Sequence, residues 1–380
     1  MNERIYLDYA AAAPLHPEVK KEMMRAEKFW ANASSLHKEG RAARAIIDNA
    51  RLSIAQSIGA NTDEIIFTSG ATESNFLALR GVLEYLRIKG QKPHLVISKI
   101  EHPSIYEQAR FLESMGLEVS WVEVGKDGLV NVASLENSIK ENTALVSIIY
   151  ANHETGTVQN IAELAGVVKA KNPKTLFHTD AAQGLGWLDV NVGELNADLI
   201  TGSGYKLYGP KGVGFLYVNS RANLSPQFVG FQEWGKRAGT ESTILIAGLA
   251  KALKLSKDWP REKVRKLRND LLKKIQASVP GVILNSQSSS SVPHIAHFSF
   301  EGIDPQILNI ALDRAGLASS PGSACSTGAV KVSPVLEALG IDIKKYSGSL
   351  RLSLGIDTED REVAEAASIV KNEINKLRGG

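Results

Sequence analysis

The chain has one cysteine, Cys325, among 380 residues, and that scarcity removes most cysteine chemistry at once. An internal disulfide needs two thiols, and an all-cysteine metal site needs more. Long apolar runs are absent too. No stretch approaches the roughly 20 residues that cross a bilayer, and Met1 to Leu7 lacks the apolar core of a secretory signal. The expectation is a cytoplasmic protein with no membrane partner. An excess of either charge is also missing: 44 basic and 41 acidic residues leave a net charge of +3 with no block of like sign. That balance argues against nucleic acid as a partner. Repeats and low-complexity tracts are missing apart from four serines, Ser288 to Ser291. What is present, 43% hydrophobic and 22% charged residues, fits a soluble globular protein long enough for two domains.

Cys325 lies among Ser319, Ser320, Pro321, Gly322, Ser323, Ala324, Ser326, Thr327 and Gly328. A lone cysteine is often a small buried hydrophobe. This composition is that of a loop, so an exposed thiol is expected.

After an N-terminal arm, Tyr6-Leu7-Asp8-Tyr9-Ala10-Ala11-Ala12-Ala13-Pro14, short apolar runs alternate with helical patterns. Strands are expected at 64–68, 94–100, 117–124, 144–150, 175–178, 198–201 and 213–218. Helices are expected at 72–89, 104–114, 132–140 and 161–171. Such alternation predicts an α/β protein with a mostly parallel, doubly wound sheet. The order changes after about residue 250. An amphipathic helix through Val264, Leu267, Leu271 and Ile275 leads to a linkage at 286–293. A strand at 294–300, a helix at 305–315, the Cys325 loop, a strand at 349–354 and a terminal helix follow. The expected organisation is an arm at 1–15, a large domain at 16–255 and a smaller α+β domain at 256–380 that carries Cys325.

Residues 197–214 organise the remainder. An apolar run turns polar through Thr201-Gly202-Ser203-Gly204-Tyr205, delivers Lys206, and passes through Gly209-Pro210-Lys211-Gly212 into the next strand. A lysine at a strand mouth loses hydration and becomes an amine suited to a Schiff base with an aldehyde cofactor. The alternative is a surface hairpin with two solvated lysines. Phe67-Thr68-Ser69-Gly70-Ala71-Thr72-Glu73-Ser74-Asn75 is a strand, a small-residue turn and a helix start, an anion site suited to phosphate, although many such turns bind nothing. His102 follows a strand, where an imidazole could stack on a planar ring and shuttle protons, or be an ordinary loop histidine. Asp180 ends the strand of Phe177-His178-Thr179 with Gln183 beyond it. It suits a protonated pyridine nitrogen as well as it suits a helix N-cap. Phosphate turn, ring face, ring nitrogen and amine together name one ligand, pyridoxal 5'-phosphate.

With these pieces in place the chain resembles the class V aminotransferase superfamily, and within it the cysteine desulfurases of the bacterial iron–sulfur and nitrogen-fixation type. The likeness runs from Tyr6-Leu7-Asp8-Tyr9-Ala10-Ala11 to Arg351-Leu352-Ser353-Leu354-Gly355. Between them stand Asn32-Ala33-Ser34-Ser35-Leu36-His37, Asn152-His153-Glu154-Thr155-Gly156-Thr157, Arg237-Ala238-Gly239-Thr240-Glu241 and Gly322-Ser323-Ala324-Cys325-Ser326-Thr327-Gly328.

The resemblance implies the pyridoxal-phosphate-dependent transferase fold type I and a set of roles. Lys206 would be the Schiff-base lysine, in preference to Lys211. Asp180 would pair with the ring nitrogen and Gln183 with the phenolic oxygen. Ala71, Thr72 and Ser203 would hold the phosphate, with Thr240 reaching in from the second subunit of a homodimer. His102 would stack on the ring and move protons, and Arg351 with Asn32 would bind the substrate carboxylate. Cys325 would be the nucleophile that takes sulfur from L-cysteine, leaving L-alanine and a persulfide for an acceptor such as an iron–sulfur scaffold protein. The spacing from Cys325 to Ala338-Leu339-Gly340 resembles the longer-loop group of the family.

Three positions depart from the family pattern. Tyr205 replaces the usual histidine before the lysine, keeping a hydroxyl for the phosphate and losing a charge. His153 replaces the second asparagine of Asn-Asn-Glu-x-Gly, which contacts the ring oxygen. The stretch 229–236 is bulkier than the family's glycine-rich version. Two other readings share the fold: a selenocysteine lyase or other class V lyase or transaminase, and a scaffold that binds assembly partners. The lone cysteine in its small-residue loop favours desulfuration, because a transaminase has no use for it. Joint retention of Lys206, Asp180, Cys325 and Arg351 counts against the scaffold. No metal is expected.

Overall fold

A computed structural model describes residues 4–286, 290–322 and 333–379 of the chain. In chain order the strands are β1 (Ile5–Tyr6), β2 (Ile65–Thr68), β3 (His94–Ser98), β4 (Glu118–Val122), β5 (Thr143–Ser147), β6 (Leu176–Asp180), β7 (Leu199–Ser203), β8 (Gly214–Val218), β9 (Val282–Leu284), β10 (Ile295–Phe300), β11 (Leu317–Ala318) and β12 (Gly348–Ser353). The helices are α1 (Pro17–Ala26), α2 (Lys38–Ile58), α3 (Ala71–Ile88), α4 (Pro103–Ser114), α5 (Val132–Ser138), α6 (Ile161–Lys171), α7 (Val192–Leu195), α8 (Thr243–Leu255), α9 (Arg261–Ser278), α10 (Pro305–Arg314), α11 (Pro334–Ala338) and α12 (Asp360–Gly379).

Seven strands form the main sheet in the order β2-β8-β7-β6-β5-β3-β4, and β8 alone runs against the rest. Their side chains alternate between two cores. Ile65, Phe67, Val96, Val146, Ile200 and Phe215 enter one, while Ile66, Leu95, Ile97, Leu145, Leu199 and Leu216 enter the other. A sheet covered on both faces reads as continuous apolar runs, which is why these strands were legible. No helix among the described residues is long and apolar enough to cross a membrane.

Two strands run further than expected. The strand expected at 175–178 continues to Asp180, and the one expected at 198–201 continues to Ser203. Polar residues do not end a strand when they pair across it. His178 Nδ1 lies 2.8 Å from Ser147 Oγ and its Nε2 lies 3.1 Å from Thr201 Oγ1, a polar ladder across β5, β6 and β7. Burial pushes the titration of His178 down to about 3, so the ladder is neutral. Helices α1 and α8, absent from the expected set, pack on each other, and α8 also packs on α2.

The C-terminal part has its own antiparallel sheet, β12-β10-β9, with α12 packed on α9. The N-terminal arm is laced into this region. β1 pairs with β11, Asp8 bridges to Ser353, and Ser353 N donates to Leu7 O at 2.7 Å. The arm therefore lies beside Arg351, two residues before Ser353 on β12.

Candidate active site

β2, β3, β5, β6 and β7 run in one direction, and their carboxyl ends share one edge of the sheet. That edge is where open α/β sheets bind ligands. A cavity of about 410 Å³ opens there. Ala71, Thr72, His102, His153, Asp180, Gln183, Ser203, Tyr205, Lys206 and Arg351 all line it.

One end of the cavity suits an anion. Gly70 stands between β2 and α3 with φ of 148°, a backbone region open to glycine. Across from it, a Cβ on Gly214 would come within 2.8 Å of Gly70 Cα, so the turn and the second strand approach at glycine distance. No side chain caps α3, and the N–H groups of its first turn have no helical partner. Ser203 Oγ is buried beside this end with no hydrogen-bond partner. Behind the turn, Ser69 N donates to Glu73 Oε2 at 2.6 Å and Arg237 Nε donates to Glu73 Oε1 at 2.7 Å. Burial pushes the Glu73 carboxyl up, but the bonds from Arg237 and Ser69 outweigh it and hold the group below its ordinary range. Lys211 also lines the cavity.

Asp180 is almost fully buried at the end of β6. Its Oδ1 accepts from Ala182 N at 2.9 Å and its Oδ2 from Asn75 Nδ2 at 2.7 Å. Turns rather than a helix follow it, so Asp180 is not a helix cap. Gln183 Nε2 donates to Ala10 O at 2.8 Å. Lys206 sits in the turn after β7, where Nζ donates to Ala11 O at 2.8 Å and to Ala10 O. Its Nζ also lies 4.7 Å from the centre of the Tyr205 ring.

His102 caps α4, accepting from Ser104 N at Nδ1, and Pro103 starts the helix. His153 meets it edge to face at 4.9 Å between ring centres. Burial lowers the titration of His102, with Lys206 and Arg351 adding to the effect and Asp180 opposing it. Burial also lowers His153, helped by His102, Arg351 and Lys206. Two carboxyls support these loops. Glu101 bonds to Ser98 Oγ and accepts from Ile149 N at 2.8 Å, tying the ends of β3 and β5 together. Ser333 Oγ donates to Glu154 Oε2 at 2.7 Å. Burial pushes Glu101 up to about 8 and Glu154 up to about 7.

Arg351 closes the other end. Nη1 donates to His153 O at 2.7 Å and Nη2 to Asp8 Oδ1 at 3.1 Å. Gly322, three residues before Cys325 in sequence, lines the cavity. Cys325 itself lies outside the described residues. Asn32 and Thr240 are exposed and do not line the cavity, and Asn32 Oδ1 accepts from Ser34 N at 2.8 Å instead. The sequence did not point to Asp8, Asn75 or Ser104 as parts of the site. Each lies near a residue singled out for itself, and each has a partner that only folding brings to it: Arg351 for Asp8, Asp180 for Asn75 and Asn75 for Ser104.

The Aminotransferase class-V family model matches residues 5–365. The chain is 40% identical over 384 residues to the cysteine desulfurase IscS of Dictyoglomus turgidum, covering 100% of this chain and 96% of that protein. It is similar in structure to a NifS-like protein at a TM-score of 0.91 and 30% identity, covering 98% of this chain and 100% of that one. A solved structure of SspA in complex with cysteine matches at a TM-score of 0.80 and 34% identity, over 92% of this chain and 98% of that one.

Proposed function

We propose a function from one premise: the chain belongs to the class-V aminotransferase family, and within it to the cysteine desulfurases. Members of this family depend in general on pyridoxal phosphate, and the cavity fits that group. The observation that carries the reading is the orphaned Ser203 Oγ beside the uncapped start of α3, in one cavity with Lys206 and Asp180. Ala71, Thr72 and Ser203 would hold the phosphate, with Tyr205 close by. Asp180 would take the ring nitrogen, Gln183 and His153 the side of the phenolic oxygen, and His102 the ring face. Bound there, pyridoxal phosphate would supply an aldehyde for the amines of Lys206 and substrate, and a ring that takes up the electron pair left at the substrate α-carbon.

The chain's own residues supply the remainder. Arg351 has two of its five N–H groups committed to His153 O and Asp8, and offers others to the carboxylate of L-cysteine. His102 exchanges protons with the substrate. The Cys325 thiolate attacks the substrate sulfur: an S–S bond forms and the carbon–sulfur bond breaks, its electron pair staying on carbon. Protons complete L-alanine, and the persulfide on Cys325 passes its sulfur to an acceptor, which we assign as an iron–sulfur scaffold protein. Only a thiolate does this work.

We also assign a homodimer. Trp30 and Leu36, which flank Asn32, are 81% and 89% exposed, and Val229 and Phe231, ahead of Thr240, are 91% and 96% exposed. Thr243 Oγ1 donates to Phe29 O at 3.3 Å, which holds the two segments near each other. A second copy covering these apolar side chains would carry Thr240 towards its partner's phosphate end.

The test is alanine production from L-cysteine by the pyridoxal-phosphate-loaded protein with a thiol reductant. Alanine matched by equal sulfide is expected. Cys325→Ser should keep the bound cofactor and lose both products. A Cys325→Ser variant that releases sulfide at the parental rate removes Cys325 from the mechanism, and a loaded parent that makes no alanine overturns the reaction.

A further inference from the structure

We propose that Asn75 and Ser104 are positioning residues, forming with Asp180 a hydrogen-bonded relay that fixes His102 as the tautomer with its proton on Nε2. The inference rests on the reading of Asp180 and His102 as the residues at the ring nitrogen and ring face.

Asn75 lies in the first turns of α3 and is fully buried. Its Nδ2 donates to Asp180 Oδ2 at 2.7 Å and to Ser104 Oγ at 2.8 Å. An amide NH₂ has two hydrogens, so both are used. Charge sets the direction of the amide, because turning it over would point Oδ1 at the Asp180 carboxylate. Oδ1 is instead buried without a hydrogen-bond partner, a cost that keeps both hydrogens on the working side.

A hydroxyl that accepts from Asn75 still has its own hydrogen to give. His102 Nδ1 lies 2.8 Å from Ser104 Oγ and takes it. The Ser104 backbone N–H donates to the same nitrogen at 3.1 Å. Two donors on Nδ1 commit its lone pair, and a neutral imidazole must then carry its proton on Nε2. Protonating Nδ1 would break the bond from the Ser104 backbone N–H, which is the cap of α4, and would force the hydroxyl to reverse its bond. Hydrogen bonds made to a neutral form favour that form. The charged groups acting on His102 do not overturn this: Asp180 favours the imidazolium, Lys206 and Arg351 oppose it, and His153 stands edge-on.

His102 therefore presents Nε2–H to the site as a hydrogen-bond donor. Proton exchange there requires Nδ1 to give up the bond from the Ser104 backbone N–H, because a ring that lost Nε2–H with Nδ1 unprotonated would be an imidazolate. Because Asn75 is shared, the charge on Asp180 polarises the amide that holds Ser104, so the two groups proposed to contact the ring are electrically linked.

Nitrogen spectra of the loaded protein, labelled with ¹⁵N-histidine, test the relay. The signals lost in His102→Gln identify the ring. In the parent, Nδ1 should give the unprotonated type of signal and Nε2 the protonated type. Ser104→Ala should raise the titration midpoint of His102 and draw the two nitrogen shifts together, and Ser104→Thr should restore the parental pattern. Asn75→Ala should move the spectrum in the same direction as Ser104→Ala, since the hydroxyl is then free to turn. The kcat of Ser104→Ala should fall roughly three- to tenfold with KM unchanged, the loss of about one hydrogen bond. A parent ring protonated at Nδ1, or a Ser104→Ala ring that titrates at the parental midpoint, overturns the relay. A parent that makes no alanine yet shows the Nε2–H ring overturns the desulfurase reading and supports the relay.

Discussion

Glu233→Ala would remove one half of a buried ion pair that fastens the segment before Arg237 to the edge of the main sheet. Arg51 and Glu233 have side chains only 5% and 1% exposed. They meet as a fork, with Nη1 to Oε2 at 2.8 Å and Nη2 to Oε1 at 2.7 Å. The guanidinium carbon sits 4.5 Å from the ring centres of both Phe67 and Trp234. Glu233 Oε2 also accepts from Phe67 N at 2.8 Å, which satisfies a backbone donor on the terminal strand β2. Removing one partner of a buried pair costs about 3–5 kcal/mol, because the other charge stays behind. An orphaned Phe67 N–H adds about 1–3 kcal/mol. A destabilisation of about 5 kcal/mol is therefore expected for Glu233→Ala. At about 2.1 cal/mol/K per residue, the unfolding entropy of this chain is roughly 0.8 kcal/mol/K, so Tm should fall by about 6 °C. The double variant Arg51→Met with Glu233→Leu removes both charges and should recover at least ~2 kcal/mol of the loss. Thermal unfolding followed by circular dichroism measures all three proteins. A Glu233→Ala variant within ~2 °C of the parent, or a double variant less stable than the single one, would refute the buried-charge argument.

Two further outcomes are expected. Lys206→Ala should abolish the visible absorbance of lysine-linked pyridoxal while the cofactor's phosphate end can still bind, and an unchanged spectrum would sink the assignment of Lys206. Glu101 is fully buried and titrates at about 8 in the folded chain against an ordinary 4.5. A carboxyl raised on folding supports the fold fully below its unfolded value, and that support is lost as pH rises through the folded one. The parent should lose stability relative to Glu101→Gln between pH 4.5 and about 8, seen as converging or crossing Tm curves. A Tm difference that stays constant across this window would show that Glu101 is charged throughout.

Legibility followed the range of the forces involved. Most strands of the main sheet showed in the sequence because both faces are buried, so apolar runs needed no partner to be recognised, the half-exposed edge strand β4 being the exception. Their ends were less clear, since the ladder Ser147–His178–Thr201 looks polar in sequence and is buried because its members pair with one another. Asp180 was open to two readings until the turn after it ruled out a cap. Asn32 and Thr240 took their expected roles from the family resemblance alone, and the single chain does not bring either to the cavity.

What the chain determined by itself is chemistry written in short runs: the small-residue turn before α3, the lysine after β7, the carboxylate at the end of β6 and the lone thiol in a glycine- and serine-rich segment. Turn geometry, strand periodicity and counting need only adjacent residues. The tertiary structure alone decided which of these groups meet and in what state. Asn75 reaches Asp180 across 105 positions and Ser104 across 29, and Arg351 reaches Asp8 across 343. Those contacts commit the hydrogens of Asn75 and Arg351, and burial among packed neighbours lowers the titration of His102. Hydrogen-bond direction and desolvation are properties of packed neighbours, and packing brings together residues that the sequence keeps apart.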